Sequence, residues 1–121
     1  MAVIAYPGNL QTSQAGNADS TNTIQRNGAG EVNLRPMILR IVTNAGTTVT
    51  LKILGSVDGT TFSKVPYSVM SAAPADAWST ADIVTTTAKT ELYMLLPGQP
   101  WNYLKINQSV NTGMTPTSDL L

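Results

Sequence analysis

The stretch Met37–Leu54, "MILRIVTNAGTTVTLKIL", decides the fold class. In "MILRIVT", Met37, Leu39 and Ile41 fall on one side of a period-two pattern, while Ile38, Arg40 and Val42 fall on the other. "TVTLKIL" repeats the arrangement, with Val49, Leu51 and Ile53 inward and Thr50 and Lys52 outward. Asn44-Ala45-Gly46 between the two runs is turn chemistry, which predicts a hairpin.

Downstream, "LGSVDGTTF" (Leu54 to Phe62) reads as a strand running into a tight turn and out again. Asp58 is expected to bond local backbone amides, Gly59 to accept a positive φ and Phe62 to enter the core. "FSKVPYSVM" supplies the other arm of this second hairpin, and its Pro66 points to an edge position or a bulge. "SAAPADAWST" is a loop of small residues carrying Trp78, followed by a strand at "ADIVTTT". "ELYMLLP" sets Leu92, Met94 and Leu96 against Tyr93 and Leu95, as expected of a central strand covered on both sides. After the break at "PGQP", "WNYLKINQSV" places Leu104 and Ile106 inside and Tyr103, Lys105 and Asn107 outside, and "TPTSDLL" makes the last strand. No window carries a helical stripe. Short alternating runs parted by turns every ten or so residues predict an all-β fold over 34–121: one antiparallel β-sandwich, jelly-roll or Ig-like, of six to eight strands.

Upstream, residues 1–33 are dominated by Asn, Gln, Ser, Thr, Gly and Ala, with only Asp19, Arg26 and Glu31 charged and no periodicity. Such a segment buries too little apolar area to offset its ordering entropy alone. It is expected to be an extended or flexible N-terminal arm that orders on a partner, with Val3, Ile4, Tyr6, Pro7 and Leu10 as anchors.

Composition narrows the chemistry. Seven basic and seven acidic residues cancel, and charged residues make up 12 % of the 121, about half the usual share. The basic residues are scattered, so neither a phosphate backbone nor an anionic membrane is an expected partner. Without Cys or His, thiol nucleophiles, disulfides, His-assisted Ser catalysis and the common zinc sites are excluded. The start "MAVIAYPGNLQTSQ" has neither the basic region nor the apolar run of a secretory signal, so synthesis in a cytoplasm is expected and the sequon at Asn107 carries no meaning. Asp58, Asp76, Asp82 and Glu91 fall in separate turns and strands, which argues against a paired-carboxylate site. "SVDGTTFSKV" holds one carboxylate where a calcium loop needs several, and "NGAGE" (Asn27 to Glu31) lacks the strand and helix that frame a phosphate loop. No catalytic residue, cofactor or metal is predicted. Trp78, Trp101, Tyr93 and Tyr103 are the aromatics that could stack on a ligand, with core or subunit-contact roles the plainer alternative.

Two segments taken together, "LKILGSVDGTTFSKVP" (Leu51 to Pro66) and "WNYLKINQSVNTGMTPTSDLL" (Trp101 to Leu121), resemble a pattern of small structural proteins of tailed bacteriophages. There a "GS-x-DGT-x-aromatic" hairpin precedes a closing pair ending in "TG-x-x-PT". The resemblance implies a non-enzymatic capsid decoration (cement) protein, or a related head or tail accessory subunit, made in the host cytoplasm and placed on the virion exterior. Its implied partners are the major capsid protein and further copies of itself, as a homotrimer, with Trp78 and Trp101 as packed anchors. The same hairpin words are similar to discoidin-like carbohydrate-binding sandwiches, which implies a second class of function: binding of host polysaccharide. That family's Trp is Phe62 here, and its flanking Cys pair is missing.

Overall fold

The computed structural model describes residues 2–26, 37–44, 46–70 and 78–121. These residues form two β-sheets packed face to face, a β-sandwich with no helix among the described residues. Twelve strand segments are present: β1 (Ala2–Ala5), β2 (Gly8–Gln11), β3 (Ala18–Asp19), β4 (Asn22–Gln25), β5 (Ile38–Thr43), β6 (Thr48–Ser56), β7 (Ser63–Lys64), β8 (Tyr67–Val69), β9 (Ile83–Thr85), β10 (Lys89–Leu95), β11 (Tyr103–Thr112) and β12 (Thr117–Leu120). The first sheet has seven strands in the order β1-β4-β11-β6-β7, with β3 also on β11 and β9 also on β6. The second has five, β2-β12-β5-β10-β8.

Alternation in the central runs places the core. Leu39 and Ile41 of β5 face Val49, Leu51 and Ile53 of β6 across the sandwich, joined by Leu104 and Ile106 of β11 and by Tyr93 and Leu95 of β10, all buried. Burying a side chain of this size contributes about 1.5–3 kcal/mol, so this cluster is the main source of stability. The outward positions Tyr103, Lys105 and Asn107 stand as the period of β11 requires.

Three expectations are corrected. First, β5 and β6 do not pair. β5 lies between β12 and β10, whereas β6 lies in the other sheet against β11, β7 and β9. The chain crosses from sheet to sheet after Asn44, whose Oδ1 accepts the Thr115 N–H at 2.8 Å; Ala45 of the expected turn lies outside the described residues. Both runs have an inward face because each belongs to a different wall of the same core, and alternation alone cannot separate that arrangement from a hairpin. By contrast β6 and β7 are a true hairpin, paired at Leu54–Lys64 and Gly55–Ser63.

Second, residues 2–26 are not an arm apart from the sandwich. β1 pairs in parallel with β4, β4 and β3 pair with β11, and β2 pairs with the C-terminal β12. Leu10 and Ile24 are core residues, 1 % and 0 % exposed. The segment has few apolar side chains, so it shows no period; it orders through backbone ladders and buried polar bonds instead. Gln11 Nε2 donates to Gln108 Oε1 at 3.0 Å and to Ser118 Oγ at 3.3 Å, and Gln108 Nε2 donates to the carbonyls of Gln14 and Gly16. The rest of the expected arm, 27–33, lies outside the described residues.

Third, Phe62 does not enter the core. It is half-buried on the outer side of the seven-stranded sheet, with Lys105 Nζ 4.1 Å from its ring centroid. Pro66 marks the point where the chain leaves β7 for β8 in the opposite sheet.

Candidate functional site

At the β6–β7 corner, Asp58 Oδ1 accepts hydrogen bonds from Ser56 Oγ at 2.9 Å, Thr60 N at 2.8 Å and Thr61 N at 2.9 Å. Gly59 donates its N–H to Ser56 Oγ and has φ +84°, the left-handed region that suits glycine. The Thr61 and Thr60 amides and the Ser56 hydroxyl hold the Asp58 carboxyl well below the usual carboxylate range. One Asp58 oxygen is thus committed to closing the turn, and Asp58 and Gly59 act as a corner of the sheet.

The aromatic candidates separate. Trp101 lies against Gly55, where an added Cβ would sit 2.7 Å from the indole ring, and it packs on the core. Tyr103 faces the Gly59 turn, and its hydroxyl accepts from Gln25 Nε2 at 3.2 Å. Trp78 is 38 % exposed, one residue before Ser79, which bridges the edge strand β8 at Tyr67. Among the five residues expected at the tip of an arm, Leu10 is buried in the core. Ile4 and Tyr6 pack against the core, and the Tyr6 hydroxyl donates to the Leu121 carbonyl at 2.7 Å. Val3, 55 % exposed, and Pro7 remain on the surface. The expected anchor role is therefore corrected for Leu10, which has no surface to offer a partner.

A cleft of about 330 Å³ opens on one flank of the sandwich. Tyr67 and Val69 of β8 and Lys89, Glu91 and Tyr93 of β10 line one side, and Asp82, Ile83 and Val84 at the start of β9 line the other. It exists because β9 is short and covers only Val49–Leu51 of β6, whereas β10 runs on beyond it. On β10, Lys89 pairs with Thr43, Glu91 with Ile41 and Tyr93 with Leu39, so Lys89 and Glu91 stand on the same inner face as the core residues Ile41 and Leu39. Thr43 Oγ1 fixes that end of the strand by accepting the Lys89 N–H at 3.1 Å and donating to the Thr87 carbonyl at 2.8 Å.

The cleft walls are tied down. Tyr67 and Tyr93 meet edge to face, centroids 5.6 Å apart, and the Tyr67 hydroxyl donates to the Ala81 carbonyl at 2.9 Å. Asp82 Oδ1 pairs with Lys64 Nζ at 3.0 Å. Burial, then the Glu91 carboxylate and Tyr67, push the Tyr93 phenol well above its ordinary value, so it is a neutral hydroxyl through the physiological range. Asp82, just before β9, and Glu91, on β10, line this one cavity from separate elements, as expected of their separate places in the sequence. Asp76 and the rest of the 71–77 loop lie outside the described residues. The signal that could have found the cleft is the charged pair Lys89 and Glu91 in phase with Tyr93 and Leu95. Reading "ELYMLLP" as a run that begins at Glu91 concealed it.

Among the described residues no group of three His, Cys, Asp or Glu side chains is gathered to hold a metal ion. Fold and surface together define the chain as a two-sheet β-sandwich with a mixed aromatic and charged cleft on one flank. Comparison with family models, curated proteins and solved structures finds no match.

Proposed function

We propose that the protein is a non-enzymatic virion subunit that binds the outside of an assembled phage capsid and reinforces it. The observation that carries this is the outer face of the five-stranded sheet. Val42, Met70 and Leu121 are 38 %, 46 % and 48 % exposed there. Half-buried Ile38, Leu92 and Met94 lie between them by register, since Ile38 pairs with Met94 and Arg40 with Leu92. The only ion pair on this face among the described residues is Arg40–Asp119 at 3.1 Å, which is internally neutralised. An apolar sheet face with little net charge suits a broad contact with another protein. Together with the resemblance of the hairpin and closing segments to phage structural proteins, it favours the major capsid protein as occupant.

A subunit that binds only the assembled shell lowers the free energy of the shell and not that of dissociated capsid protein, so it stabilises by mass action. If three copies act together, simultaneous engagement slows release. The test is cosedimentation with empty expanded capsids of the parent phage. Saturable binding is expected for the wild type, together with a large loss for Leu92→Glu and Met94→Glu variants that remain folded. Wild-type protein that stays in the supernatant, or face variants that bind as well as wild type, would reject the proposal. Analytical ultracentrifugation tests the homotrimer separately.

A further inference from the structure

We propose that the edge strand β1 is a self-docking site, through which two copies of this chain join their seven-stranded sheets antiparallel about a two-fold axis. The β1–β4 ladder decides which backbone groups are left for this. Ala2 N–H donates to the Thr21 carbonyl and Tyr6 N–H to the Gln25 carbonyl, and the parallel register runs unbroken between them. In a parallel ladder alternate residues turn both main-chain groups to the neighbour, so Ala2, Ile4 and Tyr6 bond β4 while the N–H and C=O of Val3 and Ala5 point away from it. Val3 is 55 % exposed, Ala5 is exposed beside it, and β1 is the last strand in the order of its sheet.

The other edges among the described residues are closed or guarded. β8 is bridged by Ser79, which exchanges both backbone bonds with Tyr67. On β2 the Asn9 and Gln11 carbonyls accept the Asn22 and Asn9 side-chain amides at 2.9 and 3.0 Å. β3 and β7 are two residues long and carry Asp19 and Lys64, and β9 starts beside Asp82. Short length and charge of this kind keep sheet edges from joining. β1 carries no charge, and neither does β4 behind it. The free groups are also complementary to themselves. Turned about a two-fold, Val3 of one copy faces Ala5 of the other and exchanges two N–H···O=C bonds with it, the reverse pair does the same, and the two Ile4 residues meet at the axis. The contact is isologous and closes at two chains, unlike the homotrimer that the phage resemblance implies.

The test is sedimentation equilibrium of the full chain from about 20 µM to about 1 mM, a range that spans the weak affinities expected of so small an interface. The weight-average mass is expected to rise from one chain toward two, and solvent exchange of the Val3 and Ala5 amides to slow in step. Val3→Lys charges the edge, and Val3→Pro removes the outward N–H while sparing the β4 ladder. Each is expected to weaken association at least about tenfold while the circular dichroism stays that of wild type. Val84→Lys, a charge at the 60 % exposed position of β9, is expected to change nothing. The proposal is overturned by a mass of one chain at the highest concentration, by a plateau at three, by Val3 and Ala5 exchange that ignores concentration, or by association that survives either Val3 variant. The capsid reading rests on the outer face of the other sheet, so either can fail without the other.

Discussion

Gly55 illustrates how much the fold depends on single atoms. A Cβ there would stand 2.7 Å from the Trp101 ring and 2.8 Å from Val65 Cγ2, so Gly55→Ala must displace both. Overpacking of this kind costs about 1–3 kcal/mol, and a matching loss in urea denaturation is expected. Gln108 is the polar counterpart. Removing its amide in Gln108→Ala leaves the buried Gln11 Nε2 with Ser118 Oγ alone and takes the donor from the Gln14 and Gly16 carbonyls, a loss of about 1–3 kcal/mol by the same measurement. Protonation acts on residues too. The Asp58 carboxyl is held below the usual range by its turn amides. Partial burial raises Asp19, but bonds from Lys105 Nζ and Asn107 Nδ2 outweigh it and leave Asp19 low as well. Groups depressed in the folded state contribute stability that is complete above the unfolded value, about pH 4, and is lost as pH falls through the folded values. Thermal midpoints should therefore be level above about pH 4 and fall below it, with Asp19→Asn flattening the fall; a midpoint independent of pH in that range would contradict the assignment. These contacts were only partly legible in the sequence. Asp58-Gly59 announces its turn by chemistry, but nothing local to Gly55 or Gln108 tells which distant side chain they meet.

At the scale of elements, period two correctly separated the inward faces of β5, β6 and β11, because alternation is imposed by the backbone pleat itself. The expected cover on both sides of β10 is corrected, since Leu92 and Met94 stand half-buried on the outer face beside Arg40 and Ile38. Pairing was less legible. Apart from β3 to β4 and β6 to β7, every successive pair of strands switches sheets, so sequence neighbours are not spatial neighbours. The segment 2–26 was illegible for a related reason: its order comes from strands far along the chain, β11 and β12, and only Leu10 and Ile24 mark it as core. Deleting residues 2–11 removes β1, β2 and the Leu10 and Gln11 side chains from both sheets. Loss of cooperative folding is expected by circular dichroism and thermal melting. A truncated chain that melts like the full one would show the segment to be dispensable. Leu10→Ala is the milder probe, expected to cost about 2–5 kcal/mol as a core truncation.

At the scale of the molecule, two surfaces stand out: the apolar outer face of the five-stranded sheet and the charged cleft on the flank between β9 and β10. The sandwich makes them independent, since one belongs to the outside of a single sheet and the other to the gap between two. Neither was visible as a surface in the sequence, because each is assembled from strands separated by intervening elements of the opposite sheet. Met70, Leu92, Ile38 and Leu121 come together only through the β8-β10-β5-β12 order. The proposed role rests on the first surface, and an image reconstruction of the parent phage particle at a resolution that separates strands tests it most directly. The sandwich is expected on the capsid exterior with Ile38, Leu92 and Met94 turned onto the shell. Particles without this chain on their surface, or with the sandwich attached while that face looks out to solvent, would contradict it.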